Sequence, residues 1–155
     1  MGTHFEGTPT ERQALDTFIK LKRATDTVTA RLSALFSEHG LSESQFGVLE
    51  VLLHLGPMCQ KGLSDKLLRS CGNITMVVDN LEKRGLIQRV RSTEDRRYIT
   101  VSLTESGEAL IRRIFPAHVA HIVREMAILP TADQQHLAHL CRQLGLQDHA
   151  TVGPA

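Results

Sequence analysis

The 155-residue chain has no tryptophan and a single tyrosine, and aromatic residues make up only 4% of it. A core of this composition has to be built from Leu, Ile, Val and Ala, which suits helices packed on helices. Long apolar runs are also missing. None approaches the roughly 20 residues that a membrane-spanning helix needs, so no membrane partner is expected. The opening stretch MGTHFEGTPTERQ lacks the apolar segment of a secretory leader. Cysteine is scarce and odd in number: Cys59, Cys71 and Cys141. That excludes a disulfide framework and gives free thiols in a reducing cytoplasm as the expectation. There is no nucleophile motif, no phosphate-cradling glycine loop and no His-Glu-x-x-His, so nothing points to an enzyme, and no cofactor is expected. A formal net charge of +1 argues against a general polyanion binder.

What is present is periodicity. From Glu11 to about His39, Leu15, Phe18, Ile19, Leu21, Val28, Leu32, Leu35 and Phe36 recur at spacings dominated by three and four, one face of a helix, and Gly40 stops it. Ser42 or Ser44 caps a second helix over about 44–55, which Gly56-Pro57 ends. A short helix over 60–68 and another over 72–84 flank a break at Ser70-Cys71-Gly72-Asn73, and Gly85 ends the second of them. The period then changes to two: Ile99, Val101 and Leu103 alternate with Thr100 and Ser102. Strands over 87–92 and 97–103 form one hairpin with a polar turn at 93–96. Thr104 opens a helix to about Leu129 with Pro116 inside it, and Pro130 restarts a last helix that ends at Gly145.

The fold class is therefore mainly α with a small β-hairpin wing: a winged helix-turn-helix over about 44–104, between dimerisation helices at about 11–39 and 105–145. These form one domain over 10–146, with a disordered arm at 1–9 and a flexible tail at 147–155. The outer helices carry more apolar surface than one small winged unit can cover, which points to a homodimer.

Charge is uneven along the chain. Gln60 to Arg97 holds nine basic and five acidic residues, a local excess of four, so the remainder is net acidic by three. Double-stranded DNA is the expected partner. A helix fits the major groove, and its first turn offers unpaired N–H groups and the positive end of the dipole to phosphate. That turn holds Ser70, Gly72, Asn73, Thr75 and Met76, and asparagine pairs bidentately with adenine. The hairpin tip sets Arg96 and Arg97 beside Asp95, and arginine suits a narrow A·T-rich minor groove.

The segment Leu63 to Gly107, LSDKLLRSCGNITMVVDNLEKRGLIQRVRSTEDRRYITVSLTESG, resembles the MarR family of regulators (multiple antibiotic resistance regulators). The most specific match is the wing pattern Asp-x-Arg-x-x-x-Val-x-Leu-Thr-x-x-Gly on Asp95, Arg97, Val101, Leu103, Thr104 and Gly107. A second is Leu-Glu-x-x-Gly-Leu on Leu81, Glu82, Gly85 and Leu86. The resemblance implies a homodimeric repressor that pairs through its first and last helices and binds inverted-repeat operators. It assigns DNA contacts to Ser70, Gly72, Asn73, Thr75, Met76, Arg96 and Arg97, with Asp95 steadying the wing. The Gly-Asn-Ile-Thr wording at 72–75 is similar to the branch that responds to quinones and related aromatic compounds.

Three sensors come into question. Cys71 at a helix N-terminus would have its thiolate favoured, which makes oxidation one possible trigger; a small, buried, inert cysteine is the default alternative. His118/His121 and His136/His139 each sit three residues apart, a spacing able to hold zinc. Nothing in the sequence completes such a site, so surface histidines and no metal are expected. By the resemblance, a pocket for a small phenolic or quinone-type effector lies where the first, second and fifth elements meet, with Phe18, Leu21, Leu35, Phe36 and Phe46 as its candidate lining. Core packing explains the same residues.

Overall fold

The computed structural model describes residues 4–68, 70–91 and 99–146. The expected tail at 147–155, Arg69 and the expected wing tip lie outside them. Among the described residues, six helices and three strands follow in the order α1 (Pro9–Glu38), α2 (Glu43–Leu55), β1 (Met58–Cys59), α3 (Gln60–Leu67), α4 (Cys71–Lys83), β2 (Ile87–Arg91), β3 (Ile99–Leu103), α5 (Glu105–Met126) and α6 (Thr131–Gly145).

Local chemistry sets the helix starts. Thr8 caps α1 in a reciprocal box: its hydroxyl accepts from the Glu11 N–H, and the Glu11 carboxylate accepts from the Thr8 N–H at 2.7 Å. The Thr8 backbone N–H, then its hydroxyl, holds the Glu11 carboxyl below the usual carboxylate range. Ser42, not Ser44, caps α2 through the same box with Gln45. Thr104 starts α5 by accepting from the Gly107 N–H and donating to the Gly85 carbonyl at 2.6 Å.

The described chain divides between Val119 and Ala120 into two compact units. The first holds the core. Val48 and Leu49 of α2, Leu63 of α3, Ile74, Val78 and Leu81 of α4, Val101 of β3 and Ile111 of α5 are fully enclosed. The 30-residue α1 buries only Leu35 and Phe36 completely. In the second unit, Gln134 closes the turn before α6 by donating to the Met126 and Leu129 carbonyls, both at 3.0 Å. No residue of α6 is buried.

The wing is a three-stranded antiparallel sheet in the order β1-β3-β2, where the sequence suggested a two-stranded hairpin. Met58 pairs with Val101, and Arg89 of β2 pairs with the same Val101 from the other side. At two residues, β1 is too short to show alternation, and it exists because β3 offers it an edge.

The break between α3 and α4 lies earlier than the sequence suggested. Leu68 takes the left-handed conformation (φ 50, ψ 40) and is 91% exposed, while Ser70 becomes the α4 cap. A leucine there carries strain and returns no burial. Leu68→Asn, which tolerates this conformation, is expected to stabilise the fold by about 1 kcal/mol and raise Tm by roughly 2–4 °C. A calorimetric Tm equal to or below that of the parent would show that the turn is not strained.

Candidate nucleic-acid interface

The proposed DNA-reading helix α4 turns one face inward through Ile74, Val77, Val78 and Leu81. Ser70, Gly72, Asn73, Thr75 and Met76 are all exposed, so the five recognition positions expected from sequence share the open side of one helix end. The Ser70 hydroxyl accepts from the Asn73 N–H at 3.3 Å, and the Ser70 carbonyl accepts from Ile74 N–H at 3.1 Å. Among the described residues no group accepts from the Cys71 and Gly72 N–H groups at the positive end of the dipole, the arrangement that suits a phosphate.

Of these side chains, Thr75 has its hydroxyl engaged within the protein. Its hydroxyl donates to the Cys71 carbonyl at 2.9 Å and accepts from Gln60 Nε2 at 2.7 Å. Gln60 Oε1 in turn accepts from Arg89 Nη2 at 3.3 Å. Arg89 also donates to Asp79 at 2.5 Å and to Glu82 at 2.5 Å, while the Glu82 carboxylate accepts from the Arg89 backbone N–H at 3.1 Å. This forked contact fixes strand β2 to the flank of α4. Burial pulls the Arg89 guanidinium down, but the hydrogen bonds and charges of Asp79 and Glu82 outweigh it, and its pKa lies above the ordinary value.

A second clamp holds the other end of α4. Arg84 donates to the Gly40 carbonyl at 2.7 Å and reaches the His39 carbonyl at 3.5 Å. Sequence reasoning missed both clamps and counted Arg84 and Arg89 as part of a basic DNA-facing excess. The Leu-Glu-x-x-Gly pattern did carry a signal, because Glu82 is one of the two carboxylates that grip Arg89. Asp95, Arg96 and Arg97 lie outside the described residues.

Cys71 is exposed, where burial was the default expectation, because it is the first residue of α4. Its Sγ lies 3.6 Å from Ser64 Oγ. His118 is also corrected: it is buried, not a surface histidine, and packs against Phe46 at 4.7 Å and Phe36 at 5.3 Å between ring centroids. No group of three or more potential metal ligands comes together among the described residues. No described helix is long and apolar enough to cross a membrane.

That aromatic cluster floors a cleft of about 250 Å³. Leu32 and Phe36 of α1, Phe46 and Glu50 of α2, Leu67 of α3 and His118 of α5 contribute to it. Of the five residues expected to line a pocket, Phe36 and Phe46 do so. Leu35 is buried in the core beside them, and Phe18 and Leu21 are exposed earlier on α1.

The MarR family profile matches residues 41–99. The HTH-type transcriptional regulator MhqR of Bacillus subtilis is 34% identical over 134 residues, covering 86% of this chain and 92% of that protein. AbsC, a MarR family transcriptional regulator from Streptomyces coelicolor, superposes with a TM-score of 0.81 at 20% identity, covering 91% of this chain and 96% of that one. A mutant of Escherichia coli MarR in complex with operator DNA superposes with a TM-score of 0.78 at 18% identity, covering 85% and 95%. AbsC and the E. coli protein share the fold, and the identity to MhqR over nearly the whole chain carries the assignment. The chain belongs to the MarR family of DNA-binding, winged-helix transcriptional regulators.

Proposed function

We propose that the protein is a homodimeric repressor that binds inverted-repeat operators and is released by a small phenolic or quinone-type effector. The observation that carries the DNA reading is the α4 end: a capped helix N-terminus with two N–H groups left over and Asn73 and Met76 exposed beside them. Ser70 and Gly72 complete this surface, and Thr75 steadies it through Gln60 and the Cys71 carbonyl. The wing tip at Asp95, Arg96 and Arg97 supplies the second contact.

The dimer reading is supported by apolar side chains left uncovered on the outer helices: Phe18 on α1, Val123 on α5, and Leu140 and Leu144 on α6. A two-fold pair through these helices would set two α4 helices about one DNA turn, ~34 Å, apart.

Binding to A·T-rich palindromic DNA, followed by fluorescence anisotropy, tests the proposal. Affinity is expected to fall steeply and linearly in log salt. Arg97→Ala is expected to cost about 1–3 kcal/mol. A salt-independent signal would remove the phosphate contacts from the reading, and an unchanged Arg97→Ala affinity would remove the wing.

The effector reading rests on the aromatic-floored cleft. Phenols and quinones are expected to raise Tm and release DNA; if none changes DNA affinity, this class is wrong. Exposure of Cys71 favours a second reading, a redox trigger. There, peroxide would lower DNA affinity in the parent and leave Cys71→Ser unaffected.

A further inference from the structure

The outward side of α4 carries an amide that the reading above does not use. Asn73, Met76, Asn80 and Lys83 are all exposed, and steps of three, four and three residues put them in one row along the helix. Neither the Asn73 nor the Asn80 amide is engaged by another described residue. The hydroxyl proton of Thr75, by contrast, is committed to the Cys71 carbonyl. On the flank, Asp79 and Glu82 are both ion-paired with Arg89, so the row is not set against unpaired carboxylates.

The row holds no arginine, and its one cation, Lys83, stands at the far end. Arginine or lysine on O6 and N7 is the usual way to read guanine. Asparagine matches the N6 and N7 pattern of adenine, and an apolar group meets the thymine methyl. Met76, 67% exposed, is such a group between the two amides.

We propose that α4 reads A·T base pairs directly, with Asn73 and Asn80 each bonded to an adenine and Met76 against a thymine methyl, and that Asn80 is a specificity-determining residue. This rests on the reading of α4 as a major-groove helix. Seven residues of helix rise about 10.5 Å, which at ~3.4 Å per base pair spans about three steps. The two adenines therefore fall about three base pairs apart in one half-site.

The test is selection of binding sites from a random duplex library by the full-length chain and by Asn80→Ala. The parent is expected to enrich half-sites with two A·T pairs at that separation. Asn80→Ala is expected to lose the preference at one of them and to bind the selected site on the order of ten-fold more weakly. Its salt slope stays the same, because no phosphate contact is lost. Its Tm is not lowered, since alanine suits an exposed helix position better than asparagine. Replacing the central thymine by uracil, which lacks the methyl, is expected to weaken the parent a few-fold and to leave Met76→Ala indifferent. Enrichment of G·C pairs at both positions, or an Asn80→Ala profile equal to that of the parent, overturns the proposal and leaves DNA binding in place. Failure of the parent to enrich any sequence overturns the major-groove reading itself.

Discussion

Gly107→Ala is expected to destabilise the protein by about 3 kcal/mol or more, measured as the loss of unfolding free energy in urea. A Cβ built at Gly107 would stand 1.8 Å from the Leu86 carbonyl oxygen and 2.8 Å from its carbon. Those are backbone atoms, so no side chain can rotate out of the way. The Leu86 oxygen also accepts from the Thr104 N–H at 3.1 Å, and Gly107 N–H donates to the Thr104 hydroxyl at 3.1 Å. The start of α5 is thus fastened to the turn between α4 and β2 across the very gap a methyl would occupy. Moving α5 away would break those bonds and open the layer around Ile111, a cost at the upper end of overpacking effects. Gly72→Ala is the internal control. Nothing lies within 4 Å of its Cβ position, so helix propensity alone operates and the fold is expected to gain about 0.5–1 kcal/mol. If both substitutions behave alike, the close approach at Leu86 is not what requires glycine.

Arg89→Ala is expected to cost about 2–3 kcal/mol of stability and to weaken DNA binding beyond what stability explains. The guanidinium side chain is 22% exposed and its carboxylate partners Asp79 and Glu82 are 47% and 39% exposed. The three groups are partly in solvent, so the expected loss lies below that of a fully buried ion pair. Removing the arginine leaves two like charges on one flank of α4 and frees Gln60, which in turn holds Thr75. Arg89→Lys should recover only part of the loss, because a single ammonium cannot reproduce a fork shared among three acceptors. Combining Arg89→Met with Asp79→Asn and Glu82→Gln removes the charges together and should regain most of the stability without regaining DNA affinity. Full recovery of both would show that Arg89 is an electrostatic spacer and does not position α4.

The helices were legible because their code is local. Spacings of three and four mark the buried faces, and the stops at Gly40 and Gly85 fall where φ is +64 and +67. Caps at Thr104 and Ser42 follow the same short-range chemistry. Features that depend on a distant partner were not legible. β1 is set by β3, and α3 is capped by the Cys59 sulfur, which accepts from the Gly62 N–H at 3.4 Å, an acceptor seldom sought in sequence. His118 reads as half of a surface pair until Phe36 and Phe46 close over it. The candidate site divides in the same way. The recognition row follows from helix geometry alone, but which arginines face solvent depends on Asp79, Glu82 and the Gly40 carbonyl, contacts that charge counting cannot see.

The strand order of the wing also bears on how the protein behaves at high concentration. A sheet edge is a template on which another chain can add a strand, the first step toward aggregation. Here the strand richest in paired partners, β3, is in the middle. One flank is β1, two residues long and too short to recruit a strand. The other is β2, where the exposed Arg91 would meet its own like charge on an incoming copy and Arg89 is already held by Asp79 and Glu82. The two-residue β1 thus acts as a gatekeeper: by pairing with Thr100 and Val101, it covers the middle of the open side of β3 and shortens the edge left to a second molecule.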